Sequence, residues 1–198
     1  MNGHNKNTMI KQIIANTIDN LDVLMNNEDA MRRILQTSSW IAESFKKGNK
    51  LMICGNGGSA ADAQHLAGEF VCKFLKNRNP LPAVALTTDT SILTSISNDY
   101  SYAHVFSRQV DAIGKSGDIL LGISTSGNSE NVLSAFINAK KNCIQTILLT
   151  GEITDPETNC VDLIIKVPSS DTPRIQEMHL LVEHIIAELV EEELCKDD

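Results

Sequence analysis

The chain has 198 residues, a formal net charge of −8 and a pI near 5.1, with 42% hydrophobic and 21% charged residues. This composition is typical of one folded domain and argues against disorder. Because Lys and Arg form no cluster, the sequence also argues against a nucleic-acid partner. An anionic small molecule is compatible with this charge, since backbone N–H groups at helix N-termini bind phosphate without any lysine.

Nothing in the sequence predicts secretion or membrane insertion. The first seven residues are polar and lack the apolar core of a signal peptide, and no apolar run approaches the roughly 20 residues that span a bilayer. Five cysteines, an odd number without a C-x-x-C pair, argue against a disulfide framework or a thiolate zinc site. We therefore expect a cytoplasmic protein without membrane or nucleic-acid partners.

Two amphipathic helices are predicted at the start of the chain. Apolar residues at three- and four-residue spacing predict one helix over 8–25 and another over 28–47, which Gly48 ends. Such a helical pair, residues 1–48, can pack on the core of its own domain or on a neighbouring subunit. The sequence leaves both arrangements open.

Five short apolar runs follow, and helical patterns separate them. Most runs are rich in β-branched residues and each is too short for a typical helix, which favours a parallel sheet buried on both faces. The runs cover 50–54, 82–86, 118–123, 144–149 and 163–167. A last amphipathic helix is predicted over 173–193, with Pro173 in its first turn. The expected fold class is therefore α/β, with a single domain over 1–198.

Two strand-to-helix junctions are rich in glycine and hydroxyl side chains. The first, 54–62, reads CGNGGSAAD, and the second, 123–131, contains four hydroxyl residues within six positions. Both lie at the sheet edge where open α/β folds bind ligands, and glycine lets the backbone approach an anion. The alternative is an ordinary turn with Ser or Asn as the helix N-cap. One cap needs only one hydroxyl, so the second turn favours a phosphate site. Neither turn is a P-loop, because the lysine of that motif is missing.

Acid–base or metal chemistry is suggested by His65 and Glu69. They lie four residues apart on one helical face, and Asp62 stands one turn earlier. Such a pair can hold a divalent metal or exchange protons, but a solvated surface pair has the same spacing.

The last predicted helix carries further polar candidates. Around the helix axis Gln176 lies about 80° from His184, whereas Glu177 lies only about 20° from it, so spacing alone does not select Gln176. His179 and Glu183 form another i, i+4 pair, which we interpret as solvated or as part of an interface.

Taken together, these motifs resemble one family. The residues that carry the likeness are GNGGS at 55–59, His65 with Glu69, Asn98-Asp99, LGISTSGNS at 121–129, and RIQEMH at 174–179 followed by His184. In this order, and over about 20–192, the sequence resembles the sedoheptulose 7-phosphate isomerases, or phosphoheptose isomerases, of the sugar isomerase (SIS) fold.

The resemblance implies a three-layer αβα sandwich around a five-stranded parallel sheet, assembled as a homotetramer with active sites between subunits. It implies interconversion of sedoheptulose 7-phosphate and D-glycero-D-manno-heptose 7-phosphate through a cis-enediol. That reaction is the first step toward nucleotide-activated heptose for surface polysaccharide. One zinc ion per subunit is implied as well.

The resemblance also implies roles for individual residues. Glu69 is expected to be the base and His184 its acid/base partner. The phosphate is expected to bind Ser124, Thr125, Ser126 and Ser129, with Ser59 beside them. The sugar is expected to contact Asn56, Gly57, Gly58, Asn98, Asp99, Glu69 and Gln176. The zinc ligands implied are His65, Glu69, Gln176 and His184.

Two positions depart from the family pattern. Lys73 stands where an arginine is common, which keeps the charge but loses bidentate recognition, and 152–159 lacks the usual glycine-rich loop. The rival hypothesis is a non-catalytic SIS protein that binds a sugar phosphate or a replication-initiator partner. Such a relative does not keep the full acid/base pair, so the presence of both Glu69 and His184 favours an enzyme.

Overall fold

Five parallel strands form one sheet in the computed structural model, which describes residues 3–152 and 158–195. Each strand lies within one residue of its predicted bounds, and most of the loop at 152–159 falls outside the described residues. The strands are β1 (Leu51–Gly55), β2 (Ala83–Ala85), β3 (Ile119–Ser124), β4 (Gln145–Thr150) and β5 (Leu163–Lys166).

The described residues also form seven α-helices. They are α1 (Gly3–Met25), α2 (Glu28–Lys46), α3 (Gly58–Val71), α4 (Thr90–Asp99), α5 (Ser107–Ile113), α6 (Glu130–Lys141) and α7 (Thr172–Leu194). Capping explains several ends: the Asn27 side chain accepts from the Ala30 N–H at the start of α2. Within the described parts of the chain, no helix is long and apolar enough to cross a membrane.

Helices cover both faces of the sheet. Because side chains alternate along a strand, Leu51 and Ile53 of β1 join a core with α2, α3 and α7. Met52 and Cys54 join a second core with α4, α5 and α6 on the opposite face. The expected three-layer αβα sandwich is thereby confirmed.

The two N-terminal helices differ in how they pack. Helix α2 buries Ile34, Ile41 and Phe45 in the core, next to α7. Helix α1 buries Leu24 and leaves an apolar stripe in solvent, consisting of Ile10, Ile13, Ile14 and Ile18, and it also exposes Met9, Val23 and Met25. An apolar stripe of this length on one chain is typical of an interaction surface.

The order of the strands places the two predicted turns side by side. The strand order is β2-β1-β3-β4-β5. The connection after β1 therefore leads to a strand on one side, and the connection after β3 leads to a strand on the other side. The carboxyl ends of β1 and β3 are neighbours in register, with Gly55 opposite Ile123. Ligands of open α/β sheets bind at such a switch point.

Tight packing of α6 on the sheet depends on Gly122 in the middle of β3. A Cβ built there would lie 2.5 Å from Cζ of Phe136 and 2.6 Å from Cγ1 of Val132, both fully buried. We expect Gly122→Ala to lower the free energy of unfolding by about 1–3 kcal/mol, because the core cannot take the extra carbon without shifting.

Gly68→Ala is the matched control for this denaturant-unfolding measurement. Gly68 lies in α3 with no atom within 4 Å of the added carbon, so the variant should gain about 0.5–1 kcal/mol from the better helix former. Equal stability of Gly122→Ala and the wild-type protein would show that the contact with α6 is looser than described.

Candidate active site

The turn after β1 brings backbone close to backbone. A Cβ on Gly55 would lie 2.6 Å from the carbonyl oxygen of Ser59 and 2.9 Å from that of Ile123, so a side chain would not fit. Gly57, the N-cap residue just before α3, adopts φ +57°, a conformation that favours glycine. Ser59 is buried within the first turn of α3.

The turn after β3 gathers hydroxyl groups at the start of α6. Ser124 Oγ and Ser129 Oγ lie 2.9 Å apart, and Gly127 with φ +68° reverses the chain between them. Ser129 occupies the N-cap position of α6, yet its side chain makes no capping hydrogen bond to the helix. The N-cap interpretation therefore does not account for this hydroxyl, which remains beside the free N–H groups of a helix N-terminus.

Amide side chains join the two turns across the switch point. Asn56 and the buried Asn131 exchange two amide hydrogen bonds of 2.9 Å, and the Tyr102 hydroxyl donates to the same Asn56 oxygen at 2.9 Å. Asn56 was a predicted sugar contact, whereas Asn131 and Tyr102 were not predicted. No sequence spacing relates Tyr102 to Asn56, since only the packing of the short 102–104 turn brings them together.

Asn98 and Asp99, the other predicted sugar contacts, lie exposed at the end of α4. Asn98 donates to the Asp99 carboxylate at 2.8 Å. Among the described hydrogen bonds, none joins either residue to the two turns.

A second group of predicted site residues meets where α3 and α7 run side by side. His65 Nε2 lies 2.8 Å from His184 Nε2 and 3.4 Å from Glu69 Oε1. The three residues each offer a ligand atom within 4.8 Å of the others. His65 is therefore part of a three-residue cluster rather than of a simple surface pair, and this cluster can exchange protons or hold a divalent metal.

Gln176 lies at the other end of the same helix pair. A Cβ on Gly58 would clash with the Gln176 amide, which places this side chain against the first turn of α3. Since eight residues separate Gln176 from His184, their backbones lie about 12 Å apart along α7. In one chain, Gln176 therefore stands near the phosphate turns, at the opposite end from the three-residue cluster.

Phe74, which was not predicted, completes the surroundings of His184. Its ring stacks on the imidazole with centroids 5.4 Å apart and an interplanar angle of 19°. Phe74 lies in the loop after α3, and no residue spacing in the sequence relates it to α7.

Buried ionisable groups lie beneath this cluster, between α3, α7 and the sheet. His179 and Glu183 are fully buried, so the solvated interpretation of this pair is wrong. The polar atoms of both side chains have no hydrogen-bond partner among the described residues. Burial lowers the pKa of His179 to about 4. Burial and the nearby Asp62 carboxylate raise the pKa of Glu183 to about 9.

Glu183 should make the stability of the protein fall as pH rises. The folded chain keeps the Glu183 proton up to a pKa of about 9, whereas the unfolded chain releases it near 4.5. Between these values unfolding releases a proton, so higher pH favours the unfolded state. Glu183→Gln cannot ionise. We therefore expect its Tm, relative to the Tm of the wild type, to increase from pH 5 to pH 9.

Thermal unfolding followed by circular dichroism across this pH range measures the difference. Glu43→Gln, an exposed glutamate on α2, should track the wild type at every pH. A constant offset between Glu183→Gln and the wild type would contradict a protonated Glu183.

Comparison with known proteins identifies the family. A family model described as SIS domain matches residues 10–151. The phosphoheptose isomerase of Aneurinibacillus thermoaerophilus is 48% identical over 96% of this chain and 96% of its own. Phosphoheptose isomerase 2 of Campylobacter jejuni is 48% identical over 96% of this chain and 94% of its own.

Solved structures agree with these relatives. The phosphoheptose isomerase of Francisella tularensis superposes with a TM-score of 0.89 at 33% identity, covering 97% of this chain and 100% of its own. That of Neisseria gonorrhoeae superposes with a TM-score of 0.85 at 38% identity, covering 94% of this chain and 98% of its own. The fold is therefore the SIS fold, and the chain belongs to the phosphoheptose isomerase family.

Proposed function

We propose that the protein is an aldose–ketose isomerase that interconverts sedoheptulose 7-phosphate and D-glycero-D-manno-heptose 7-phosphate. Membership of the phosphoheptose isomerase family supports the substrate. The observation that carries the chemistry is the meeting of Glu69 and His184 around His65, with 3.4 Å and 2.8 Å between the facing atoms.

Ser124, Thr125, Ser126 and Ser129 hold the phosphate in this proposal, with Ser59 beside them. The hydroxyls of Ser124 and Ser129 already face each other, and the N-terminus of α6 adds N–H donors and a favourable dipole. Asn56, Gly57, Gly58, Asn98, Asp99 and Gln176 are assigned to the sugar.

Proton transfer is assigned to Glu69 and His184. Isomerisation moves a proton between C1 and C2 through a cis-enediol, so one carboxylate can remove it and return it on the same face of the sugar. Oε1 of Glu69 faces His65, and we assign its other oxygen to the substrate proton. His184 moves the proton between O1 and O2, because an imidazole ring has one nitrogen that can donate a proton and one that can accept it.

Zinc, one ion per subunit, fits the donor set of this site. Two imidazoles and a carboxylate from His65, Glu69 and His184 lie within 4.8 Å of one another, and such a set with an open position is typical of catalytic zinc. A bound zinc ion would act as a Lewis acid that polarises the substrate carbonyl. Gln176 is the fourth implied ligand, but in the same chain its side chain lies against Gly58 and not at this cluster. It would have to leave that position to bind the same ion.

Active sites shared between subunits are supported by the length of α3. Eleven residues separate Gly58 from Glu69, which is about 16 Å along a helix. Eight bonds join the phosphorus to C1 of a heptose 7-phosphate, or roughly 9 Å when extended at about 3.5 Å per three bonds. The extended substrate is therefore shorter than the distance between the two ends of one α3. It reaches more readily from the phosphate site of one chain to Glu69 of another chain.

A homotetramer is the assembly we propose for this sharing. The exposed apolar stripe of α1 supports it, because large exposed apolar surfaces mark protein contacts. We further propose that the enzyme works in the cytoplasm, at the first step toward nucleotide-activated heptose for surface polysaccharide.

The alternative is a non-catalytic SIS protein that binds a sugar phosphate or a replication initiator. The phosphate turns alone serve either function. The joined Glu69 and His184 favour the enzyme, since a binding protein has no need of an acid/base pair.

The direct test mixes the purified protein with sedoheptulose 7-phosphate and zinc, and follows the aldose product. We expect turnover of the ketose. Binding of the substrate to an intact oligomer without any turnover would reject the isomerase and leave the binding protein.

Glu69→Gln should lower kcat by about 100-fold or more, because it removes the general base. Competitive inhibition by inorganic phosphate should stay nearly unchanged, since the hydroxyl turn is intact. Glu43→Gln, exposed on α2, is the control for loss of one surface charge. A kcat close to wild type would show that another group is the base.

Ser124→Ala should act on binding instead. A hydrogen bond to a charged group is worth about 1.5–3 kcal/mol, so KM should rise by about tenfold or more while kcat changes little. Ser39→Ala, on the exposed face of α2, is the control. A loss confined to kcat at normal KM would contradict a phosphate contact.

A further inference from the structure

We propose that Glu191, together with Arg78, is a positioning residue for the acid/base site, because it fixes Phe74 against His184 and the end of α3 beside Glu69. Neither residue touches the substrate in this proposal. The catalytic consequence rests on the proposed function, whereas the positioning itself rests on contacts within the chain.

Glu191 gathers an unusual number of donors for one buried carboxylate. Its side chain is 1% exposed. It accepts backbone N–H bonds from Phe74 at 2.9 Å, Leu75 at 2.8 Å and Lys76 at 2.9 Å, and a side-chain bond from Arg78 Nε at 2.7 Å. Burial opposes the charge of Glu191, but these four donors outweigh it and lower its pKa. The carboxylate therefore stays ionised and anchors three consecutive residues of the loop to α7.

The anchored loop presents Phe74 to His184. Phe74 stacks on one face of the imidazole, while His65 meets the same ring edge-on with centroids 5.1 Å apart. These two contacts define the plane of the His184 ring and keep its Nε2 aimed at His65 Nε2. Without the N–H bonds to Glu191, nothing among the described hydrogen bonds ties the Phe74 backbone to α7.

Arg78 carries the same anchor to α3. It donates from its NH2 group to the carbonyl of Glu69 and from its NH1 group to that of Phe70, each at 2.8 Å. The last carbonyls of a helix have no partner within the helix, so this guanidinium caps α3 beside the proposed base. One buried ion pair thus fixes the loop that supports His184 and the helix end that carries Glu69.

The position of Glu191 on α7 makes this role specific. It lies seven residues after His184, which is two helical turns further along nearly the same face. An ion pair with only a structural role could attach any loop to this helix. The Glu191–Arg78 pair attaches the loop that places an aromatic ring directly on the proposed catalytic imidazole.

The test compares Glu191→Gln and Phe74→Leu with the wild type. Changes to groups that orient a ligand or catalytic histidine typically lower activity or metal affinity about 10–100-fold. For both variants we expect kcat to fall by about tenfold or more, with KM within about threefold, because the phosphate turns are untouched. Zinc affinity of the metal-free protein, measured by competition with a chelator, should fall to a similar extent.

A spectroscopic readout separates positioning from general damage. The Phe74 ring should shift the His184 ring protons upfield in a ¹H–¹³C spectrum of histidine-labelled protein, assigned through His184→Asn. Both variants should lose this shift, and Phe74→Tyr, which keeps a ring, should retain it. Glu193→Gln is the matched control, since Glu193 lies on α7 like Glu191 but pairs at the surface with Lys46 of α2.

Phe74→Leu keeps the Glu191–Arg78 pair, so it tests the proposal even if Glu191→Gln folds poorly. Unchanged kcat in Phe74→Leu, or lost activity with unmoved His184 resonances in either variant, would overturn the proposal. If the wild-type protein does not isomerise sedoheptulose 7-phosphate, the proposed function fails. The resonance shift and the zinc affinity then still decide whether Glu191 positions His184.

Discussion

Helix α3 holds its two functional ends apart, because a hydrogen-bonded helix of 14 residues keeps a fixed length of about 20 Å. Its first turn belongs to the switch point of the sheet, where Gly55 and the buried Ser59 approach the β3 turn. Its last turns carry His65 and Glu69. Helix α7 lies alongside with its functional residues in the same order. Gln176 lies at the phosphate end and His184 at the acid/base end. The proposal of sites shared between subunits follows from this separation.

Two buried glutamates on α7 show how hydrogen-bond donors decide whether a buried carboxyl group is ionised. Glu191 faces four donors, and its pKa is lowered despite burial. Glu183, two turns earlier, has no hydrogen-bond partner among the described residues; burial and then the nearby Asp62 carboxylate raise its pKa to about 9. The charged glutamate can therefore anchor the loop under His184, while the neutral one packs as part of the core beneath the same site.

The sequence was sufficient for the sheet because a strand buried on both faces is a continuous apolar run that ends at polar turns. It was also sufficient for the His65, Glu69 and His184 cluster once the family likeness was used. Spacing failed for His179 and Glu183, because an i, i+4 relation shows that two residues share a helical face and not what that face contacts. The contacts of Phe74 and Glu191 were out of reach for the same reason, since they join a loop to a helix more than 100 residues away.

The most direct test of the shared site mixes two inactive variants. Glu69→Gln lacks the base, and Ser124→Ala/Ser129→Ala lacks the phosphate hydroxyls, so each protein alone should be nearly inactive at low substrate concentration. After the subunits are mixed and allowed to exchange, some sites combine an intact base from one chain with an intact phosphate turn from another. We expect activity to return in the mixture. No recovery, with hybrid oligomers demonstrated by mass spectrometry, would place the whole site within one chain and contradict the proposed sharing between subunits.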